Sequence, residues 1–256
     1  MAQTSEASHG LNFNRAASRC ALSWLAGAFA VAIAVFALFP QLDIATSTLF
    51  GGASGFPLRP SPLWEDVRQF FIIVTNGSAV LLLGYWLVLR LRNPPQHGRS
   101  AFCQIAGFGA LAYLIVPGVL VNGMIKPLWA RARPYNVDMF GGTFGFTSPF
   151  ELGGQCHGSC SFVSGETSAL FTCATVAALF FAPMLAAKWR MPALWVIWGM
   201  AVFGSLLRIA VGAHFLSDVV FSAILSSAMV LALALRLSVD PKERKNQAMP
   251  AKITAL

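Results

Sequence analysis

The chain has 256 residues, of which 56% are hydrophobic and only 11% charged, with a net charge of +8. Soluble domains carry about 25% charged residues, so this composition excludes an ordinary soluble domain and points to an integral membrane protein. The basic excess does not indicate nucleic acid, because Lys and Arg punctuate the ends of apolar runs instead of clustering on one polar face.

A polar N-terminal tail, residues 1–18, precedes the first apolar stretch at about 20–40. The basic flank of that stretch resembles a signal peptide. Its apolar run exceeds the usual ~7–15 residues, however, and no small-residue cleavage site follows. A retained first helix is expected; cleavage would leave five spans. A bilayer-crossing helix needs about 20 mostly apolar residues. Five more stretches qualify, at 70–90, 102–124, 166–186, 192–211 and 217–237. The third contains Pro117-Gly118, and a kink there is tolerable when neighbours re-satisfy the freed backbone groups. The expected fold is therefore all-α, a six-helix membrane bundle over residues 19–238. A basic C-terminal tail follows at 239–256.

Arg15, Arg19, Arg90, Arg92, Arg99, Lys188, Arg190, Arg236, Lys242, Arg244, Lys245 and Lys252 fall on one side of this map. Arg59, Arg68, Lys126, Arg131, Arg133 and Arg208 fall on the other. The positive-inside rule then puts both termini in the cytoplasm and the 41–69, 125–163 and 209–216 connections outside. The segment 135–162, rich in Gly, Phe and Ser, is expected to act either as a lid or as a plain connector.

Cys20, Cys103 and Cys173 lie in or beside apolar stretches and read as packing residues. Cys156 and Cys160 share the outer loop. They suit a disulfide in an oxidising compartment, two thiols, or a metal site with His157 as a third ligand. Zinc sites usually need four ligands and no second Cys pair is visible, so no metal is expected.

Three clusters border the outer side. In the first, Lys126 is followed by Arg133-Pro134, with Arg131 as an auxiliary cation. Arg offers phosphate a planar fork and Lys a point charge. The alternative is a set of cations snorkelling at the interface. The second cluster is Ser164-Gly165-Glu166, opening the fourth span. A helix N-terminus binds anions, Gly165 permits close approach and Ser164 adds a hydroxyl. The alternative is a plain cap, with Ser164 capping and Glu166 complementing the dipole. In the third, Arg208 precedes His214 and Asp218. Their i, i+4 spacing lets Asp218 orient the ring and keep one nitrogen unprotonated as a nucleophile. The alternative is an interfacial His beside a capping Asp.

Taken in order, Lys–six residues–Arg-Pro, then Ser-Gly, then Arg–five residues–His–three residues–Asp resembles the type 2 phosphatidic-acid phosphatase superfamily, in its membrane branch. The resemblance covers about residues 20–237. It implies a helical bundle with its site at the outer membrane face, and metal-independent, cofactor-free hydrolysis through a phosphohistidine. Carried over by position, His214 is the nucleophile and Asp218 its orienting partner. Lys126, Arg133 and Arg208 bind the phosphoryl oxygens, and Ser164 and Gly165 complete the cradle. The second motif departs from the family's Pro-Ser-Gly-His: Val163 stands for the Pro and Glu166 for the His that acts as general acid. Glu ordinarily titrates near 4.3, so an unperturbed Glu166 is ionised at neutral pH. It is then a desolvated neutral acid, a carboxylate paired with Arg131 or another cation, or the mark of a silent protein.

The Cys–three residues–Cys-Ser-Phe-Val-Ser-Gly-Glu run also resembles bacterial members grouped with lipid A phosphatases. The expected function is an inner-membrane lipid phosphatase acting on a lipid phosphomonoester or pyrophosphate. Lipid A, polyprenyl pyrophosphate, phosphatidate and phosphatidylglycerol phosphate are the candidate substrates. The alternatives are a lipid-to-lipid phosphotransferase and a silent lipid-phosphate binder. The related vanadium haloperoxidases are soluble, and six apolar spans count against them.

Overall fold

The structure, a computed structural model, describes residues 11, 13–92, 100–156, 158 and 160–238. The expected basic tail at 239–256 and His157 lie outside the described residues. Six helices among the described residues are long and apolar enough to cross a membrane. Among the described residues no strand accompanies them beyond two isolated bridges, Gly52 with Gly55 and Val137 with Phe144.

The helices follow chain order: α1 (Arg15–Leu38), α2 (Gln41–Thr48), α3 (Pro62–Arg92), α4 (Ala101–Tyr113), α5 (Lys126–Trp129), α6 (Gly165–Val176), α7 (Ala187–Ala210) and α8 (Leu216–Leu237). α4 and α5 are joined by a π-helical run, Leu114–Ile125, so together they form one span. Asn14 caps α1 by accepting from the Ala17 N–H. That cap starts the first helix four residues before the expected tail boundary.

α6 is the central helix and packs against α3, α4, α7, α8 and the π-helical run. Its contact with α8 is a ladder of small hydroxyl residues. The Ser222 hydroxyl donates to the Ser164 carbonyl (2.6 Å) and the Ser226 hydroxyl to Ser168 Oγ (2.7 Å). Thr175 and Ser227 meet at 3.3 Å. Small residues let helix backbones approach closely in lipid, and their hydroxyls bond across the interface. α1 covers the outer face of α8, with Phe29 and Phe36 stacked on Phe221. Trp24, Leu81, Leu91, Trp195 and Val196 point outward. Such exposure is unfavourable in water and appropriate in lipid. Cys103 is buried and Cys173 half-buried, as packing residues should be, but Cys20 is exposed on this outer face.

Pro117 removes a backbone donor inside the π-helical run. Five residues on, the Asn122 side chain donates to the Pro117 carbonyl at 2.6 Å. The run also carries the helix past the expected end at residue 124, so Lys126 stands on the last helical turn and not in the loop.

α3 has 31 residues, roughly 46 Å of helix at 1.5 Å per residue. That exceeds the ~30 Å hydrocarbon thickness. Its second turn carries Arg68 to Glu166 in the first turn of α6. In the segment expected as a lid or connector, Val137 and Phe140 pack with Phe56, Ala132 and Phe215 in one apolar cluster. Cys156 and Cys160 are joined as a disulfide, with Cα atoms 5.6 Å apart.

Candidate active site

The turn between α7 and α8 builds the third motif. Ala213 and His214 both donate backbone N–H bonds to the Arg208 carbonyl, at 2.9 and 3.2 Å. Gly212 makes the reversal at φ +67°, a conformation L side chains rarely adopt. Arg208 therefore ends one helix, and His214 stands just before the next. His214 precedes α8 and is not part of it, so the two residues do not share a helical face as their spacing suggests.

Asp218 is fully buried at the first turn of α8. Its Oδ2 accepts the Phe215 N–H at 2.8 Å and the Ser161 hydroxyl; its Oδ1 accepts from Arg131 Nη1 at 2.7 Å. His214 Nδ1 lies 3.7 Å from Oδ2, in charge contact but beyond hydrogen-bond range. Both oxygens are already engaged, and the ring sits back from the carboxylate. Asp218 thus caps the helix, as the alternative reading expects, and adjoins the histidine without the hydrogen bond that the orienting reading calls for. Burial, with Lys126 and Arg133 nearby, pushes the His214 imidazole down to about 3, against the opposing pull of Asp218. At neutral pH the ring is uncharged and its nitrogens can act as bases or nucleophiles.

His214, Lys126, Arg133, Gly165 and Glu166 line one cavity of about 440 Å3, which also takes in Asn122 and Arg68. Lys126 is 8% exposed. Gly165 leaves room here: a Cβ would fall 2.6 Å from Asn122 Oδ1 and 3.2 Å from Lys126 Nζ, so those side-chain ends would have to shift. Arg208 lines an adjoining polar cavity of about 260 Å3, shared with Arg59, Glu65, Arg68 and Arg133.

Three expectations are corrected by this geometry. Ser164 is fully buried and off the cavity wall. Its hydroxyl accepts the Thr167 N–H at 3.3 Å as the α6 cap, and its own N–H goes to the Asp218 carbonyl at 3.2 Å. Arg131, expected as an auxiliary phosphate ligand, is 0% exposed and lies inside the protein. Its Nη2 donates to Asp43 at 2.8 Å, Nη1 to Asp218 and to Ser217 Oγ at 2.9 Å, and Nε to the Thr147 carbonyl at 2.9 Å. The guanidinium also stacks 4.3 Å from the Phe215 ring centroid. Arg131 therefore cannot be the partner of Glu166. Arg68 is: its Nε and Nη2 donate to Glu166 Oε1 at 3.0 and 2.9 Å. Arg208 Nε stands 3.3 Å from Oε2. This geometry matches the paired alternative, with Arg68 as the hydrogen-bonded cation and Arg208 in charge contact.

Two charged residues escaped the sequence reading. Asp43, on the short α2, accepts from the Ser217 N–H and hydroxyl at 2.8 and 2.6 Å as well as from Arg131. It caps α8 across 174 residues of chain. Burial pushes its carboxyl above the usual range, with Arg131 opposing. Its only sequence signal was an acidic residue inside an otherwise apolar segment. Arg68 stood out merely as a cation on the sparsely charged side.

A family model described as the PAP2 superfamily matches residues 106–240, just over half of the chain. The lipid A 4'-phosphatase of Rhizobium etli is 33% identical over 84% of this chain and 86% of its own length. The lipid A 4'-phosphatase of Francisella tularensis subsp. novicida is 37% identical over 78% of this chain and 90% of its own. Among solved structures, a transmembrane PAP2-type phosphatidylglycerolphosphate phosphatase from Bacillus subtilis superposes with a TM-score of 0.52. That match covers 89% of this chain and 98% of the other at 16% identity, a likeness of fold alone. The chain belongs to the PAP2 superfamily and is a membrane lipid phosphatase.

Proposed function

We propose that this phosphatase removes a phosphate from lipid A at the outer face of a bacterial inner membrane, by attack of His214 on phosphorus. The observation that carries the mechanism is a buried, uncharged imidazole facing the same cavity as Lys126, Arg133 and Gly165. Relatives named as lipid A 4'-phosphatases, matched over most of both chains, support the substrate and the 4' position. The excess of Lys and Arg on the opposite side supports cytoplasmic termini and a periplasmic site.

The phosphoryl group settles at the head of α6, where Gly165 and the helix N-terminus favour an anion. Lys126, Arg133 and Arg208 neutralise its oxygens. His214 Nε2 attacks, the N–P bond forms and the P–O bond to the sugar breaks. Asp218, anchored by Arg131, stabilises the imidazolium charge that develops. The departing sugar oxygen takes a proton from water, because Glu166 is engaged as a carboxylate by Arg68 and Arg208. Water then attacks phosphorus, the N–P bond breaks, and inorganic phosphate leaves with His214 restored. Fixed cations stabilise the transition-state charge without reorganising, a role elsewhere given to metal ions, so the reaction is metal-independent.

The test is phosphate release by the detergent-solubilised protein from lipid A, polyprenyl pyrophosphate, phosphatidate and phosphatidylglycerol phosphate, with and without EDTA. Mass spectrometry of the lipid product assigns the sugar that lost phosphate. Preferential 4' dephosphorylation of lipid A, insensitive to EDTA, is expected. Preference for a glycerophospholipid, or a lipid product that has gained phosphate, would overturn the assignment.

A further inference from the structure

Two polar cavities share Arg68 and Arg133, and Glu166 lines one of them while its carboxylate contacts Arg208 of the other. His214, Lys126 and Glu166 line the first; Arg208 lines the second and not the first; Arg68 and Arg133 line both. Glu166 thus contacts Arg208 from the cavity that the imidazole also lines. Its two oxygens are held unequally. Oε1 accepts two hydrogen bonds from Arg68, one from Nε and one from Nη2. Oε2 has charge contact with Arg208 Nε at 3.3 Å, but that buried nitrogen has no hydrogen-bond partner. Glu65 steadies Arg68 from the far side, at 2.7 Å. The Arg68 and Glu166 side chains are 28% and 27% exposed, and that of Arg208 only 6%. The strong half of the bridge is at the open mouth and the weak half lies beneath it.

We propose that Arg68 is a positioning residue of the phosphatase reaction: its grip on Glu166 keeps that carboxylate from closing on Arg208, so that the lipid phosphate can take Arg208 instead. This rests on the reading above, in which Arg208 contacts the phosphoryl group. The carboxylate and the phosphate are two anions competing for one guanidinium. The forked pair from Arg68 fixes Oε1, and the poorly directed contact at Oε2 is the one that yields to phosphate. Without Arg68, Glu166 leans more on Arg208, and the competition tilts against substrate. Charge alone explains only part of this, because Lys lacks the planar fork that holds the carboxylate aside.

The test is competitive inhibition by inorganic phosphate, measured with the KM of the lipid, in wild type, Arg68→Ala, Arg68→Lys, Glu166→Gln and the Arg68→Ala/Glu166→Gln double variant. For a partly exposed ion pair the shifts are roughly two- to fivefold. Arg68→Ala is expected to raise the inhibition constant and KM together, and Arg68→Lys to restore part of the loss. Glu166→Gln is expected to lower both constants. The double variant is expected at or below the wild-type value, because no carboxylate remains to compete. If Arg68→Ala weakens phosphate equally in the Glu166→Gln background, Arg68 binds phosphate itself and the proposal fails. Unchanged constants in all four variants would make the bridge purely structural and also overturn it. Failure of inorganic phosphate to compete in the wild type would instead overturn the placement of the phosphoryl group.

Discussion

Replacing Arg131 with Met separates a scaffold role from a substrate-binding role. Arg131, Asp43 and Asp218 are all 0% exposed, and the guanidinium bonds the carboxylates at 2.8 and 2.7 Å. Met fills similar volume but leaves two carboxylates buried without their cation. Removing one partner of a buried ion pair typically costs about 3–5 kcal/mol, because the remaining charge is stranded. For a chain of this size that corresponds to a fall in Tm of roughly 6–20 °C. The assay is intrinsic tryptophan fluorescence during heating in detergent, followed by phosphate release below both transitions. The deficit should narrow in acid. Burial already raises the Asp43 pKa in the folded protein. Stability from such a group is full below its unfolded value near 3.9 and is lost as pH rises through the folded value. With the cation gone the folded value rises further, so acidification relieves the variant more than the wild type. A Tm within about 2 °C of wild type together with a raised KM would refute the scaffold role and return Arg131 to the phosphate.

Three further outcomes follow from the site. Because His214 titrates at about 3, its protonation does not set the acid limb of kcat/KM. That limb should track the second ionisation of the phosphate, near 6. The same shift makes His214 stabilising above its unfolded value of about 6.5, with that stability lost as pH falls toward about 3. Wild type should therefore lose more Tm than His214→Gln between those limits, and parallel curves would contradict the shift. Gly165→Ala places a methyl 2.6 Å from Asn122 Oδ1 and 3.2 Å from Lys126 Nζ. Displacing Lys126 by such an amount should lower kcat/KM roughly 10- to 100-fold; an unchanged value would mean that Lys126 is not set by this contact.

The helix count was legible because span length is a property of consecutive residues. The apolar runs at 20–40 and 217–237 needed no partner to be recognised, and α1 and α8 stand there. Lys126, Arg133, Gly165, Glu166 and His214 were legible as one group because their order and spacing form a specific pattern. Pairings were not. Arg131 and Arg133 are two residues apart, yet one is enclosed with Asp43 and Asp218 while the other lines both polar cavities. The partner that draws Arg131 inward sits 88 residues away on α2. Arg68, near the start of α3, reaches Glu166 across 98 residues. Neither distance leaves a periodic trace. Ser164 shows a different limit: a hydroxyl at a helix start serves as a cap or an anion ligand from the same sequence, and only packing against α8 decides between them.

The most direct test of the account is to trap the intermediate. Lipid A labelled with 32P in its phosphates is mixed with wild type and with His214→Ala, quenched in alkali within the first turnover, and the protein is digested. The account predicts label on the peptide bearing His214, stable to alkali and released by acid, and none in the variant. Full phosphate release with no labelled peptide, or label retained in His214→Ala, would contradict it.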